Sequence, residues 1–360
     1  MWDKRDDMVV YQMEPFNAEP PPAALAGQAL TPIDTFYSRN HGPIPDIDPA
    51  EWRLDVGGLV DRSLRLSLAD LQQLPHRTDV ATLECAGNRR AELMAVRPIL
   101  GQEPWGPATI GTAEWTGVSL VDVLTAAGPR GDGAHIAFAA PDISDHADPP
   151  QPYGGSIPLS KALSGEVLLA WAMNGRPLPQ VHGGPVRVIV PGYIGARSVK
   201  WVHRITVQTQ PSDNYFQAVA YRLRPPDAAP GPGHGISLGP ALLNAAILTP
   251  GDGSSLTTGR AVVAGYAFAG ERTVARVDVS PDGGRTWVHA TVEDPAGRSA
   301  WQLWRTTLNL TAGAADLVAR AWDDTGATQP ESPSSVWNPD GYANTAWPRV
   351  HVDVIPARTR

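Results

Sequence analysis

The segment Leu83-Glu84-Cys85-Ala86-Gly87-Asn88-Arg89-Arg90 sets the chain's one cysteine a few residues from two arginines, with a glycine that permits a tight backbone. Neighbouring positive charge lowers a thiol pKa and favours the thiolate, which is both the nucleophile and the metal ligand. On these residues alone several fates stay open. A lone cysteine is ordinarily a small, inert, buried hydrophobe. A catalytic cysteine of protease or amidase type needs an adjacent base, and no local signature supplies one. A thiolate is also a soft donor suited to a metal.

A loop of this kind has to be carried by a folded core. At 360 residues and 42% hydrophobic content the chain is long enough for two domains. Glycine (35) and proline (36) are spread among apolar runs and 12 tryptophans, so the composition indicates a loop-rich globular protein rather than disorder. A formal charge of −8 argues against nucleic-acid or anionic-membrane partners, which reward excess Lys and Arg. One cysteine excludes an internal disulfide, a multi-thiolate zinc site and a c-type haem attachment. No apolar run is long enough to span a bilayer, and Met1 to Met13 lacks the hydrophobic stretch of a secretory signal. The expected location is cytoplasmic, or periplasmic if a leader has been removed.

The positioning elements fall into three stretches. Residues 1–30, acidic and then proline-rich at Pro20-Pro21-Pro22, read as an arm that packs on the body or stays mobile, with no chemistry assigned to it. Residues 31–232 mix short helical signals with β-branched runs. Ser67-Leu68-Ala69-Asp70 predicts a capping box, Ser119 to Ala127 a helix closed by Gly128, and Val186–Val190 and Val199–Val207 predict strands. The stretch Pro225 to Gly233 lacks apolar periodicity and reads as a linker. From 233 to 360, alternating runs at Ala261–Phe268, Val274–Ser280, Trp287–Val292, Trp301–Leu310, Leu317–Trp322 and Val350–Ile355 predict an immunoglobulin-like β-sandwich, with Pro281-Asp282-Gly283-Gly284 as a hairpin turn. The expected fold class is α+β.

The cysteine segment resembles the molybdenum-binding signature of the sulfite oxidase family, and the likeness runs from about Phe36 to Ile355. Tyr37-Ser38-Arg39-Asn40-His41 precedes it; Arg97-Pro98, Pro104-Trp105, Tyr153-Gly154-Gly155-Ser156-Ile157-Pro158 and Met173-Asn174-Gly175 follow in order. His182-Gly183-Gly184-Pro185-Val186-Arg187, Gly195-Ala196-Arg197-Ser198-Val199-Lys200-Trp201 and Ala346-Trp347-Pro348-Arg349-Val350-His351-Val352 complete it.

The resemblance implies a molybdenum held by a pyranopterin (molybdopterin), with Cys85 as the one protein sulfur on the metal. It implies that His182, Arg187, Ser198 and Lys200 bind the pterin phosphate, and that Tyr37, Ser38, Asn40, His41, Asp142 and Val199 make further cofactor contacts. Arg39, Arg90 and Arg349 match anion-binding arginines, a residue type whose fixed charge and paired donors suit a small oxyanion. Trp105 would wall the pocket and Tyr153 would hydrogen-bond beside the metal. The implied reaction is oxygen-atom transfer to sulfite giving sulfate, with a homodimer formed through the sandwich.

The family member expected is the haem-free, bacterial type. There is no room before residue 31 for a haem domain and no nicotinamide or flavin module, so electrons are expected to leave to an external acceptor such as a cytochrome. Pro348 stands where a histidine is common, Leu100 near a frequent lysine, and an added residue precedes Trp105. Alternatives within the family are nitrate and sulfoxide reduction; one of another class is a non-catalytic interaction protein.

Overall fold

The computed structural model describes residues 1–229 and 231–357. Its fold is α+β, a mixed α/β first domain and an immunoglobulin-like β-sandwich. The first domain is organised by a sheet whose strands His76–Glu84, Ile110–Ser119 and Leu168–Met173 lie side by side antiparallel, with Arg187–Ile189 on the last. Both faces of this sheet are covered at its middle, where Ala81–Leu83, Ile110–Ala113 and Leu168–Ala170 are buried, while the start of the strand His76–Glu84 is polar and exposed. Val118, Leu169 and Val188 face one core, shared with Leu54, Phe138, Ile205 and the helix Leu120–Ala127. Their neighbours Leu168, Ala170 and Ile189 point the other way, into a cluster with Phe36, Leu83, Cys85 and Trp105. The second sheet runs in the order Leu64–Ser67, Arg53–Gly58, Arg204–Gln208, His135–Ser144 and Gln151–Pro158, with one parallel pairing.

Local sequence signals are visible in place. Ser67 caps Leu68–Gln73 with a reciprocal box through Asp70, and Gly128 ends Leu120–Ala127 in the left-handed region. The strand predicted at Val199–Val207 begins only at Arg204, because residues before it form a turn with Trp201 at φ 49°.

The sandwich packs a four-stranded sheet beginning with Asn244–Thr249 on a five-stranded sheet ending with Arg349–Ile355. The run predicted as one strand at Trp287–Val292 splits into Val288–His289 and Thr291–Val292, which pair in different sheets. The Pro/Gly stretch after Leu223 is the loop of a small hairpin, Arg222–Leu223 with Ile236–Ser237. The domains are joined by more than this loop. Ala108 and Ile110 share an apolar cluster with Leu248, Tyr266 and Trp301, and the arm's Leu25 fills it. Among the described residues no helix is long and apolar enough to cross a membrane.

Candidate active site

Chain segments that are distant in sequence converge on one cavity in the first domain. Phe36 to His41 enter from the loop behind the arm, Cys85 from the end of His76–Glu84, and Asp142 and Tyr153 from the paired strands His135–Ser144 and Gln151–Pro158. His182 comes from a short turn, Arg187 from its strand, and Ser198 and Lys200 from the loop after Gly195–Arg197.

Cys85 is buried, its amide donating to Thr109 O (2.9 Å) and its sulfur accepting from the Gly87 amide (3.4 Å). The Arg90 guanidinium lies so close over Gly87 that a Cβ there would sit 2.3 Å from Nη2, so glycine at this position lets the charge approach the thiol. Arg90 is held by the carbonyls of Glu103 (3.0 Å) and Asp340 (3.1 Å) and rests on the Tyr342 ring. Arg39, half-buried, stands 3.4 Å from the Glu103 carboxylate.

Sequence reasoning expected two adjacent arginines to depress the thiol pKa. Burial instead pushes the Cys85 pKa up, with Arg90, Arg39 and the Gly87 amide pulling against it. Arg89 takes no part because it turns into the second domain, donating to Asn244 Oδ1 (2.8 Å), Ala245 O (3.0 Å) and Ala346 O (2.8 Å) and pairing with Glu92 (2.6 Å).

At the far end of the cavity sits a cluster of buried cations. Arg187 donates to His182 O (2.8 Å) and Ser198 O (2.9 Å), and Lys200 to Asn40 Oδ1 and Val181 O. Lys200 reaches this place over Gly183, at φ 103°, where a Cβ would lie 2.8 Å from the lysine Cβ. No salt bridge to a carboxylate is formed by Lys4, His182, Arg187 or Lys200 among the described residues. Burial drives their pKa values down: Arg187 to about 10, Lys200 and His182 well below their ordinary values. Asp142 is pushed up to about 7 by burial, and its Oδ1 and the Ser38 hydroxyl lack any partner. Burying cations without counter-charges costs several kcal/mol per ion on the usual scale. An anion with several oxygens fits this end, and a group with ring N–H donors fits Ser38 and Asp142. With an unpaired thiol in the same cavity, the donor set suits a phosphate-bearing pterin that carries a soft metal.

Near the thiol, Tyr153 donates to Ala196 O (2.8 Å) and stacks on His41 at 4.7 Å, whose Nε2 meets Tyr221 Oη at 2.6 Å. Burial and the Arg39 charge hold His41 neutral, and burial raises the Tyr153 pKa so that it keeps its proton.

Of the residues read from sequence, Tyr37, Ser38, Arg39, Asn40, His41, Cys85, Asp142, Tyr153, His182, Arg187, Ser198 and Lys200 line the cavity. Val199 does not: its side chain belongs to the core and its carbonyl accepts from Val188. Trp105 is fully buried behind Cys85, against Tyr11 at 4.7 Å, and does not reach the cavity wall. Arg349 corrects the expectation outright. It opens the strand Arg349–Ile355 on the solvent side of the sandwich and is paired with Asp316, so it lies outside the cavity. Residues missed from sequence are Lys4, Glu103 and Tyr221. Each is an isolated residue of a common type, and only tertiary contact distinguishes it.

Residues 41–216 match the family model for an oxidoreductase molybdopterin binding domain, and residues 241–355 that for a Mo-co oxidoreductase dimerisation domain. The mitochondrial sulfite oxidase of Rattus norvegicus is 41% identical over 369 residues, covering 96% of this chain and 66% of that protein. The chain thus spans just under two thirds of that relative's length. The sulfite oxidase of Arabidopsis thaliana is 37% identical, with 96% of this chain and 94% of that protein covered. A nitrate reductase of Hordeum vulgare is 36% identical over 98% of this chain and 43% of its own length. Among solved structures, the sulfane dehydrogenase SoxCD of Paracoccus pantotrophus superposes with a TM-score of 0.83 at 26% identity, covering 96% of this chain and 86% of that one.

Proposed function

The chain belongs to the sulfite oxidase family of molybdopterin-binding oxidoreductases, and on that premise we propose that it oxidises sulfite to sulfate and passes the electrons to an acceptor outside the chain, such as a cytochrome. The observation that carries the reading is the cavity's division of labour: an unpaired thiol near the Arg39 and Arg90 charges at one end, and buried cations that form no salt bridge among the described residues at the other.

Bound there, the molybdenum and its pterin supply the two-electron redox change and the oxygen that is transferred. His182, Arg187, Ser198 and Lys200 would hold the phosphate, Ser38 and Asp142 the pterin ring, and Cys85 the metal. Binding requires the thiolate, and Arg90, Arg39 and the Gly87 amide are the groups that favour it against burial. Arg39, which lines the cavity, would orient a small oxyanion, and its charge with that of Arg90 beside the thiol lowers the cost of bringing the anion into a buried site. Tyr153, protonated and fixed by the stack with His41, is a donor within the same cavity. The second domain, matching a dimerisation domain, is where we place a twofold homodimer contact.

The test is a steady-state assay of protein from a molybdate-competent host. Sulfite is offered with ferricyanide or a cytochrome; nitrate and methionine sulfoxide are offered with a reduced dye. Sulfite turnover is expected, falling to background in Cys85→Ser. Turnover of nitrate or sulfoxide without sulfite would replace this reading with another within the family, and full activity without Cys85 would overturn the assigned chemistry.

A further inference from the structure

Lys4 lies far from the rest of the cation cluster in sequence, in the arm to which the sequence assigned no chemistry, yet its side chain is buried beneath the cavity's far end. Its ammonium donates to Ile33 O at 2.6 Å and Phe36 O at 2.7 Å, and it meets His182 Nε2 at 2.6 Å. An ammonium has three N–H donors and no acceptor, so all three are used. None is left for a ligand. The contact with Nε2 requires that nitrogen to accept, which places the neutral ring's proton on Nδ1. Both Phe36 and His182 line the cavity, whereas Lys4 does not.

The arm is fastened so as to keep Lys4 in place. Ala18 and Ser38 exchange backbone hydrogen bonds at 2.9 and 2.8 Å, Asn17 Oδ1 accepts from the Asn40 amide at 2.6 Å, and Glu19 accepts from the Gly106 and Ala108 amides at 2.6 and 3.0 Å. A lysine this deep is costly: burial lowers its pKa to about 7, and the charge of Asp34 opposes that only in part. Anchoring the arm does not demand a cation, because the contacts of Asn17, Ala18 and Glu19 already do so. What Lys4 adds is a further ammonium beside Arg187 and Lys200, and a fixed orientation for the neutral His182 ring.

We propose that Lys4 is a positioning residue for the cofactor's phosphate monoester, fixing His182 through Nε2 so that the N-terminal arm governs how tightly the cofactor is retained. This deepens the cofactor assignment above and rests on it. Partners that orient the groups holding a metal or cofactor typically matter by about 10- to 100-fold in affinity, and Lys4 stands in that relation to His182.

The experiment measures pterin per chain, by the fluorescence of the oxidised pterin released on denaturation, during prolonged dilution of the loaded protein. Wild type, Lys4→Met, Lys4→Arg, His182→Gln and the double variant Lys4→Met/His182→Gln are compared. Lys4→Met is expected to lose pterin roughly 10-fold faster or more, Lys4→Arg to recover most of the loss, and the double variant to lose it no faster than His182→Gln. That non-additivity is the mark of one residue acting through another. Cofactor-free Lys4→Met is expected to melt within a few degrees of cofactor-free wild type. If Lys4→Met does not accumulate as folded protein, Lys4→Gln, which can still donate to both carbonyls, takes its place. Equal pterin retention by wild type and Lys4→Met overturns the inference alone, as do fully additive effects in the double variant. Wild-type protein with no pterin overturns the cofactor assignment and this inference with it.

Discussion

Around Asp278 in the sandwich a single carboxylate serves two guanidiniums and an imidazole, whereas at the far end of the cavity Lys4, His182, Arg187 and Lys200 form no salt bridge among the described residues and are opposed only by the charges of Asp34 and the half-neutralised Asp142. Asp278 is 1% exposed, and it accepts from Arg276 at 2.8 and 2.9 Å, from His289 at 2.8 Å and from Arg320 at 3.4 Å. Burial alone would push its pKa up, but these partners outweigh it and the net shift is down. In the cavity the shifts run against the charged forms: the cations are pushed down and Asp142 up. A satisfied charge cluster is part of the fold's own stability, whereas an unsatisfied one marks a candidate functional site.

Opposite mutational responses should follow. Asp278→Ala, which strips one acceptor from three donors, is expected to cost about 1–3 kcal/mol in urea unfolding, discounted because Arg276 and His289 are half open to water. Lys200→Met removes a repelled cation. Cofactor-free protein carrying it should melt no lower than wild type, while the loaded protein releases its pterin faster; a large drop in cofactor-free stability would erase the contrast. Arg349→Met tests whether an arginine inside a satisfied pair can serve the site. It is expected to change KM for sulfite by less than about twofold and stability by no more than about 1 kcal/mol, the range of exposed ion pairs. A large rise in KM would restore it as an anion-binding residue.

The smallest effect belongs to the sandwich hairpin. The Thr286 amide and hydroxyl, with help from Ser280 and the Arg285 amide, hold the Asp282 pKa down to about 2. A depressed carboxylate stabilises above its unfolded pKa, and that contribution is lost as pH falls from about 4 toward about 2. Urea midpoints of wild type and Asp282→Asn should therefore converge as pH falls through that window and separate above it.

How much of this was legible in the sequence follows from the range of the interactions. Ser67 with Asp70 and Ala127 with Gly128 are local, so the helix boundaries could be read directly. The cavity's residues were legible because they sit in compact segments whose order resembles a family. Arg349 sits in such a segment too, but the alternation of its strand points it at solvent and Asp316. Segment likeness says nothing about which face a side chain takes. Lys4 was illegible for the opposite reason, since its partners Ile33, Phe36 and His182 are brought to it by the tertiary fold alone. The Cys85 pKa was misjudged because proximity in sequence counted Arg89, which faces away, and could not count burial.

Arg89 itself bears on how such a chain can be cut and recombined. It is fully buried at φ 63°, one residue from the arginine that covers the thiol loop, and its guanidinium is solvated by Asn244, Ala245 and Ala346 of the other domain. Asn244 also donates to Glu84, the residue before the cysteine, at 2.6 Å. A chimera joined at the Pro/Gly hairpin would therefore inherit a thiol loop whose hydrogen-bond acceptors were chosen by a different sandwich. The exchangeable module is then neither of the two domains but the pair, and a transplanted sandwich would have to carry the acceptors at 244, 245 and 346 with it.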